Sequence, residues 1–258
     1  PLTEGEMRLF RTLPVTQKLF RYAIYWILEA TACGFALDPK LMRFASDLGK
    51  RHIARQIADP ALRAKVTPDY TPGCKRILMS HEYYPALARP NVDVITDGIA
   101  EVTEDSVITR EGKQRKVDAI VFGTGFRVTD LLTPMQVLGR GGRDVNDAWN
   151  EGVEAYLGTT ISGYPNLYML MGPNTGLGHS SMIFMIEAQA RYAVQAIRTI
   201  LDRNLRMLDV RAGVQRAFIA GLDEKMKKTV WMTGCHSWYL QGSGARNSTL
   251  WPGFTFDY

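Results

Sequence analysis

Cysteine and histidine are scarce in this sequence of 258 residues, which has 3 cysteines and 4 histidines. The cysteines, Cys33, Cys74 and Cys235, lie far apart and are odd in number. This spacing matches neither a disulfide framework nor a metal site. We therefore predict no bound metal and a reducing, cytoplasmic setting.

Long apolar runs are missing as well. The most apolar helical segment holds the run 22–28, which lies between Arg21 and Glu29, whereas a membrane-spanning helix needs about 20 residues. A buried or partner-facing helix is favoured, and attachment to a membrane surface stays open. The sequence begins at Pro1 without a signal-peptide pattern. We therefore expect it to be a piece of something longer.

Positive charge is concentrated in the first third of the chain. Residues 1–76 contain 13 Lys and Arg against 7 Asp and Glu, while the formal net charge of the whole chain is +5. A solvated helical face explains such an excess, and a phosphorylated cofactor, a membrane surface or nucleic acid are the alternatives. No RNA- or DNA-binding motif is present, so a nucleic-acid partner is not predicted.

Apolar periodicity divides the chain into helix-like and strand-like segments. Helical patterns cover residues 8–30 with a break at Pro14, 39–58, the stretch from Ser181 to Leu201, and 214–231. Strand patterns cover residues 92–95, 107–109, 117–122 and 166–171. The continuous apolar run 117–122 is typical of a strand buried on both faces of a parallel sheet. Strands that alternate with helices predict an α/β fold.

The helix predicted after Ser181 carries an apolar stripe at spacings of three and four residues. The stripe consists of Ile183, Ile186, Ala190, Val194, Ile197 and Leu201. Glu187 and Arg191 are spaced for an i, i+4 ion pair on the polar side.

The segment 166–201 has the pattern of a strand, a glycine-rich turn and a helix. Glycines let the backbone approach a ligand, and the first turn of a helix offers unpaired N–H groups. A phosphate or the carbonyl side of a flavin ring would fit there. Gly176 and Gly178 resemble the start of a dinucleotide fingerprint, but Ser181 occupies the third glycine position. A turn that meets another part of a cofactor is therefore favoured.

Four side chains are candidates for chemistry on local evidence. His179 could be a general base, although a histidine beside glycines is more often a structural hydrogen-bonding group. Cys74 could be an activated thiol, but no histidine stands in a known pairing motif. Lys75 and Arg76 follow a Pro-Gly turn and could bind an anion, and a solvated basic turn is the alternative.

Several segments, taken together and in order, resemble the C-terminal half of class B flavoprotein monooxygenases, chiefly of the Baeyer–Villiger type. The matching pieces are PGCKR at 72–76, YYPALARPNV at 83–92, DAIVFGTGF at 118–126, YPNLY at 164–168, GPNTG at 172–176, WY at 238–239 and LWPGF at 250–254. The resemblance covers nearly the whole chain.

The resemblance implies a fold made of parts of two Rossmann-like dinucleotide-binding domains. Residues 1–122 would be the C-terminal part of the NADPH-binding domain with a helical insertion, and residues 123–258 the C-terminal part of the FAD-binding domain. Gly123 stands where the family usually has alanine, and glycine keeps the small size needed.

The resemblance also implies site residues. Arg76 matches the family's active-site arginine and would steady negative charge on the flavin peroxide and on the adduct with the ketone. Lys75 would meet the 2′-phosphate of NADPH, and Trp238 the nicotinamide ribose. The implied cofactor-binding residues are Lys75, Gly123, Thr124, Gly125, Asn174, Thr175, Gly176, Leu177 and Trp238.

By resemblance, the function is that of an FAD- and NADPH-dependent monooxygenase that uses O₂ and a C4a-peroxyflavin to convert a ketone into an ester or lactone. A flavin monooxygenase that oxidises nitrogen or sulfur is the alternative, so the substrate would be a small ketone or sulfide. The chain contains neither G-x-G-x-x-G nor the family's F-x-G-x-x-x-H-x-x-x-W fingerprint. We therefore expect a missing N-terminal half as partner, and an isolated chain that is inactive. A non-catalytic portion or a partner subunit is the remaining alternative.

Overall fold

The computed structural model describes residues 2–125, 132, 134–150, 152–233, 237–240 and 246–258. The chain forms two compact units. The first comprises the described residues within Pro1–Ala45, Tyr70–Ile77 and Thr129–Tyr258, and the second those within Ser46–Asp69 and Leu78–Val128.

Helices dominate the described residues. The α-helices are α1 (Glu4–Thr12), α2 (Pro14–Ala32), α3 (Met42–Gln56), α4 (Pro60–Val66), α5 (Tyr83–Leu87), α6 (Val145–Ala148), α7 (Met182–Asp202) and α8 (Ala212–Met226). A π-helical turn, Cys33–Leu37, continues α2, and short 3₁₀ turns occupy Pro39–Leu41, Arg140–Gly142, Val230–Met232 and Thr255–Asp257. The helices predicted from periodicity are therefore all present, with boundaries that differ by several residues.

The sequence specifies where these helices begin. Thr3 and Glu6 form a reciprocal capping box at α1, in which the Glu6 carboxylate accepts from the Thr3 N–H at 2.7 Å. Pro14 opens α2, where its missing N–H has no helical partner to lose. Asp38 caps the 3₁₀ turn Pro39–Leu41, because its carboxylate accepts from Lys40 N at 2.9 Å.

The second unit contains a three-stranded antiparallel sheet in the order β1-β2-β3. Its strands are β1 (Ile99–Val102), β2 (Ser106–Thr109) and β3 (Gln114–Lys116). Ile99 lies opposite Thr109, and Ser106 lies opposite Lys116. The predicted strand 107–109 is thus confirmed as part of β2.

The predicted strands 92–95, 117–122 and 166–171 are wrong for this structure. None of these segments is extended in a ladder, and Val121 and Phe122 are 94% and 79% exposed. A parallel strand is stable only when neighbouring strands satisfy its N–H and C=O groups and layers cover its two faces. No parallel strand is available to the run 117–122 among the described residues, so its apolar pattern alone does not make a strand.

The first unit has three clusters of buried residues. The first core cluster contains Phe35, Met42, Cys74, Met226, Val230, Trp231, Tyr239 and Leu250. The second contains Val145, Trp149, Val153, Ala155, Ile161 and Tyr164. The third contains Leu177, Met185, Ile219, Leu222 and Trp251. Each large apolar side chain that is fully buried contributes about 1.5–3 kcal/mol to folding.

The apolar segment of α2 and part of the apolar stripe of α7 lie at the surface, so of the two predictions for the run 22–28 only the partner-facing helix stays open. In α2, Trp26 and Ile27 are 57% and 67% exposed. In α7, Ile183 and Leu201 of the predicted stripe are exposed, and the buried residues are Met185 and Gln189. Within the described part of the chain, no helix combines the length and the hydropathy that crossing a bilayer requires.

The predicted ion pair within α7 is replaced by a pair with α2. The Glu187 carboxylate accepts from the Arg21 guanidinium at 2.8 and 3.0 Å. The Arg21 guanidinium also lies 5.0 Å from the centre of the Phe184 ring. Tertiary packing therefore selects the partner of Glu187, rather than the spacing to Arg191.

Candidate active site

The predicted glycine-rich turn is hydrogen-bonded to the C-terminal segment, which comprises the described residues 237–240 and 246–258. The Asn174 side-chain amide donates to the carbonyl oxygen of Asn247 at 2.8 Å. Gly176 N donates to Thr249 O at 2.8 Å, and Trp251 N donates back to Gly176 O at 2.8 Å. The turn is therefore one side of a parallel bridge to the C-terminal segment, a long-range pairing that the sequence did not reveal.

The glycines of this turn are required by the protein's own packing. A Cβ on Gly176 would lie 2.8 Å from the carbonyl oxygen of Thr249. A Cβ on Gly178 would lie 3.0 Å from carbons of both Phe35 and Trp231. The small residues thus let the turn lie directly on the C-terminal segment and on the first core cluster.

A second turn carries the predicted cations. Gly73 has φ +88, and a Cβ there would lie 2.7 Å from the Phe35 ring, so only glycine fits. Lys75 follows, with its Nζ 4.5 Å from the centre of the Tyr70 ring, a cation–π contact. Arg76 comes next and is exposed to solvent.

Arg76 lies near a tyrosine of the C-terminal segment, Tyr239, which is 1% exposed. Burial raises the pKa of Tyr239, while the nearby positive charge of Arg76 acts in the opposite direction. Tyr239 also contacts Trp238, with ring centres 4.4 Å apart. The structure therefore places the predicted catalytic cation beside the aromatic pair that includes Trp238.

One core cluster connects these parts. Cys74 precedes the two cations, Tyr239 lies near Arg76, and Leu250 accepts from the Asn174 side chain at 3.1 Å through its carbonyl oxygen. All three belong to the first core cluster. Arg76, Trp238 and the turn 174–177 are thus anchored to the same packed group of side chains.

Gly123, Thr124 and Gly125 belong to the second unit and are exposed. A Cβ on Gly123 or Gly125 would meet no atom within 4 Å among the described residues. Gly125 has φ +92, which favours glycine. A role of these three residues in cofactor binding stays a prediction.

His179 occupies a buried polar site that the sequence did not reveal. Its side chain is 0% exposed, and its Nε2 lies 3.8 Å from a carboxylate oxygen of Glu29, which is equally buried. Neither ring nitrogen has a hydrogen-bond partner among the described residues. Burial lowers the pKa of His179, and the nearby Glu29 carboxylate opposes that shift. The expected structural hydrogen bond of His179 is therefore not found.

Glu29 itself fastens the end of the chain. Its carboxylate accepts from the N–H of Thr255 and, at 2.8 Å, from the Thr255 hydroxyl. Glu29 directly follows the apolar run 22–28. An acidic residue next to such a run is a sequence signal that could have predicted a buried carboxylate with a hydrogen-bonding partner. Tyr239 was also missed, and its place next to Trp238 is the only local sign.

The hypothesis of an activated thiol at Cys74 is not supported. Cys74 is 0% exposed within the first core cluster and is not a free thiol. Cys33 is a free cysteine. Within the described residues, no group of three or more His, Cys, Asp or Glu side chains could hold a metal ion.

A cavity of about 340 Å³ lies elsewhere in the first unit. Its walls include Arg140, Trp149 and Tyr164. None of the predicted site residues lines it. Arg140 is engaged, because its Nε donates to the carboxylate of Asp209 at 3.1 Å.

The chain is similar to known monooxygenases over its full length. It is 51% identical over 258 residues to a Baeyer–Villiger monooxygenase of Pseudomonas aeruginosa and 46% identical over 259 residues to one of Streptomyces coelicolor. Both matches cover 100% of this chain, but 49% and 50% of the relatives. The chain thus spans about half the length of the curated relatives it matches. No family model matches the chain.

Solved structures agree with the sequence relatives. The chain superposes with a TM-score of 0.75 on cyclohexanone monooxygenase from Rhodococcus sp. Phi1 bound to NADP+, at 26% identity. The match covers 88% of this chain and 43% of that one. The likeness confirms the predicted α/β fold class, whereas the helical insertion and the domain boundary at residue 122 stay predictions.

Proposed function

We propose, from the premise that the chain belongs to the Baeyer–Villiger type of class B flavoprotein monooxygenases, that it provides part of an FAD- and NADPH-dependent enzyme. That enzyme would insert oxygen next to the carbonyl of a small ketone and form an ester or lactone. The observation that carries the proposal is that Arg76, which follows Cys74, lies near Tyr239 and Trp238 and is anchored to the same core cluster as the turn 174–177.

The turn 174–177 fits the polar edge of a flavin ring. The Asn174 side-chain oxygen is buried and has no hydrogen-bond partner among the described residues. The amino end of α7, which begins at Met182 after the cap Ser181, favours negative charge nearby. In contrast, Asn174 N and Gly176 N already donate to the C-terminal segment. We propose that the side chain of Asn174, rather than these amides, faces the ring.

The segment with Lys75 and the segment with Trp238 fit the other cofactor. Lys75 is half-buried against Tyr70, and its ammonium is a compact charge suited to a phosphate. Trp238 is 47% exposed, so one part of its ring is available to a ribose or a nicotinamide. The flavin, once bound and reduced by NADPH, would supply the activation of oxygen.

Arg76 would supply electrostatic stabilisation. A guanidinium stays charged at any working pH, so its charge is present before the reaction begins. A charge that is already in place needs little reorganisation when negative charge develops on the reacting oxygen. Removal of one such donor typically costs about 2.7–4 kcal/mol, or roughly 10²–10³ in rate.

We also propose that a further polypeptide segment completes the cofactor sites. The sequence contains no G-x-G-x-x-G, and the chain spans about half the length of its relatives. Val121 and Phe122 are exposed in the second unit, where a sheet strand would bury them. The partner would correspond to the half of the relatives that this chain does not match.

The proposal can be tested with a fusion protein. The chain is joined to the part of the Pseudomonas aeruginosa relative that it does not match, and the product is purified with FAD. Bound flavin, NADPH oxidation and oxygenated product are measured with a set of ketones and sulfides. We expect ester or lactone from ketones, whereas sulfoxide alone would favour the heteroatom-oxidising alternative, and an absence of both would refute the enzyme proposal.

Arg76→Ala in the fusion protein tests the assigned role. Flavin reduction by NADPH should continue, while the yield of oxygenated product should fall by about 10²-fold. Arg203→Ala, which removes an exposed arginine at the end of α7, is the matched control and should leave both unchanged. An unchanged product yield in Arg76→Ala would rule out a catalytic role for this residue.

A further inference from the structure

Gln189 has a buried side-chain amide whose hydrogen-bond partners all lie outside its own helix. It lies on α7 and is 1% exposed. Its side-chain oxygen accepts from Met171 N at 2.9 Å. Its side-chain nitrogen donates to Gly158 O at 3.0 Å and to the Thr159 hydroxyl at 3.1 Å. One side chain therefore joins two separate loops to the helix.

Both loops have backbone that non-glycine residues rarely adopt. Leu157 has φ 49 in the first loop, and Met171 and Asn174 have φ 59 and 56 in the second. Left-handed backbone at non-glycine residues persists only where the surroundings determine it, and it is concentrated at functional sites. The bonds of Gln189 fall directly on these two loops.

The loops also touch each other through glycines. A Cβ on Gly158 would lie 2.2 Å from the Thr175 methyl carbon, and a Cβ on Gly172 would lie 2.2 Å from Gly158 O. The Thr175 hydroxyl donates to Gly172 O at 2.7 Å. A small displacement of the first loop must therefore displace Thr175, because no free space separates them.

We propose that Gln189 is a positioning residue, whose amide holds the loop around residues 171–175 in place and thereby sets how Asn174–Leu177 meet the flavin. The inference rests on the proposed function. The C-terminal segment fixes the turn by accepting a hydrogen bond from the Asn174 side chain, and Gln189 fixes the residues before the turn by accepting one from Met171 N. Gln189 acts through this backbone and does not itself contact the cofactor.

The test compares three variants of the fusion protein. Gln189→Met keeps the length of the side chain and removes all its hydrogen bonds, while Gln189→Glu keeps an acceptor for Met171 N and loses the donor. Gln195→Leu changes an exposed glutamine of the same helix and is the matched control. Each variant is first checked by circular dichroism for an unchanged fold.

The readouts separate positioning from mere stability. We expect Gln189→Met to bind flavin with a shifted absorption spectrum, to form about tenfold less product per NADPH consumed, and to leave KM for the ketone nearly unchanged. Gln189→Glu should show a smaller change in the same direction. Gln195→Leu should match the unsubstituted protein in each readout.

The remaining outcomes distinguish a failure of the proposed function from a failure of the positioning role alone. An unsubstituted fusion protein that binds no flavin or makes no oxygenated product refutes the proposed function, and with it this role of Gln189. An active fusion protein whose folded Gln189 variants keep the original spectrum and product yield refutes the positioning role alone. If both Gln189 variants fail to fold while Gln195→Leu folds, the amide serves the fold as a whole and the positioning role is overturned.

Discussion

Replacement of Glu29 by alanine should destabilise the chain strongly. Glu29 is 1% exposed in α2, and its carboxylate accepts two hydrogen bonds from Thr255, one from the backbone and one from the hydroxyl. The same carboxylate is 3.8 Å from the Nε2 atom of His179. Its removal therefore detaches the end of the chain from α2 and leaves the buried imidazole without a neighbouring acid.

The size of the effect follows from these contacts. Hydrogen bonds to a charged group contribute about 1.5–3 kcal/mol each, so the two bonds from Thr255 are worth about 3–6 kcal/mol. Loss of a buried carboxylate removes its desolvation cost, which offsets part of that sum. We therefore expect Glu29→Ala to lower the free energy of unfolding by about 3 kcal/mol, a large share of the 5–15 kcal/mol typical of a folded protein.

Urea denaturation of the chain, followed by circular dichroism at neutral pH, measures this change. Glu104→Ala removes an exposed carboxylate and should change the free energy of unfolding by less than about 0.5 kcal/mol. Glu29→Gln keeps one acceptor oxygen and should fall between the two. A loss below about 1 kcal/mol in Glu29→Ala would show that the contacts with Thr255 do not hold the end of the chain, and the reasoning would fail.

Three further perturbations test other parts of the structure. Burial lowers the pKa of His179 in the folded chain. Its contribution to the free energy of unfolding is therefore present above the ordinary histidine pKa of about 6.5 and is lost as pH falls below that value. Urea denaturation from about pH 7.5 to 5.5 should show a steeper loss of stability in the unsubstituted chain than in His179→Gln. Gly158 has φ +55, and Gly158→Ala places a Cβ 2.2 Å from the Thr175 methyl carbon, so this variant should lose about 2–4 kcal/mol of unfolding free energy in the same assay. Gly221→Ala adds a Cβ in open space on α8 and should stabilise the chain by up to about 1 kcal/mol. Tyr239→Phe in the fusion protein should leave flavin reduction intact and lower product yield by roughly tenfold, because the hydroxyl near Arg76 is removed; equal yields would show that this hydroxyl does not support Arg76.

Local patterns predicted the helices because their causes are local. The cap at Asp38 and the proline at the start of α2 act within a few residues of themselves. The strands were predicted less well, since a strand exists only with its neighbours. The run 117–122 has the composition of a buried strand, yet its neighbours are not among the described residues, and β3 formed from the polar residues Gln114–Lys116. Composition therefore did not identify the partners on which a strand depends.

Periodicity identified α7 but not the face that it buries. Four of the six residues in the apolar stripe are exposed, namely Ile183, Val194, Ile197 and Leu201. Gln189, in contrast, is buried because it satisfies three backbone and side-chain groups of two loops. A polar residue is buried where its hydrogen bonds are met, and a sequence pattern contains no information on distant partners. The exposed stripe is consistent with the proposed partner segment, which would give it a surface to cover.

The geometry of the candidate site therefore depends on residues far from it in sequence. Asn174 is joined to Asn247 across 73 positions, and Met171 is joined to Gln189 across 18. Arg76 lies near Tyr239, which belongs to the same C-terminal segment as Asn247. A motif such as GPNTG specifies which backbone shapes are possible, but the C-terminal segment and α7 select one of them. Substitutions in these supporting elements should consequently disturb the cofactor-facing turn as much as substitutions within the turn itself.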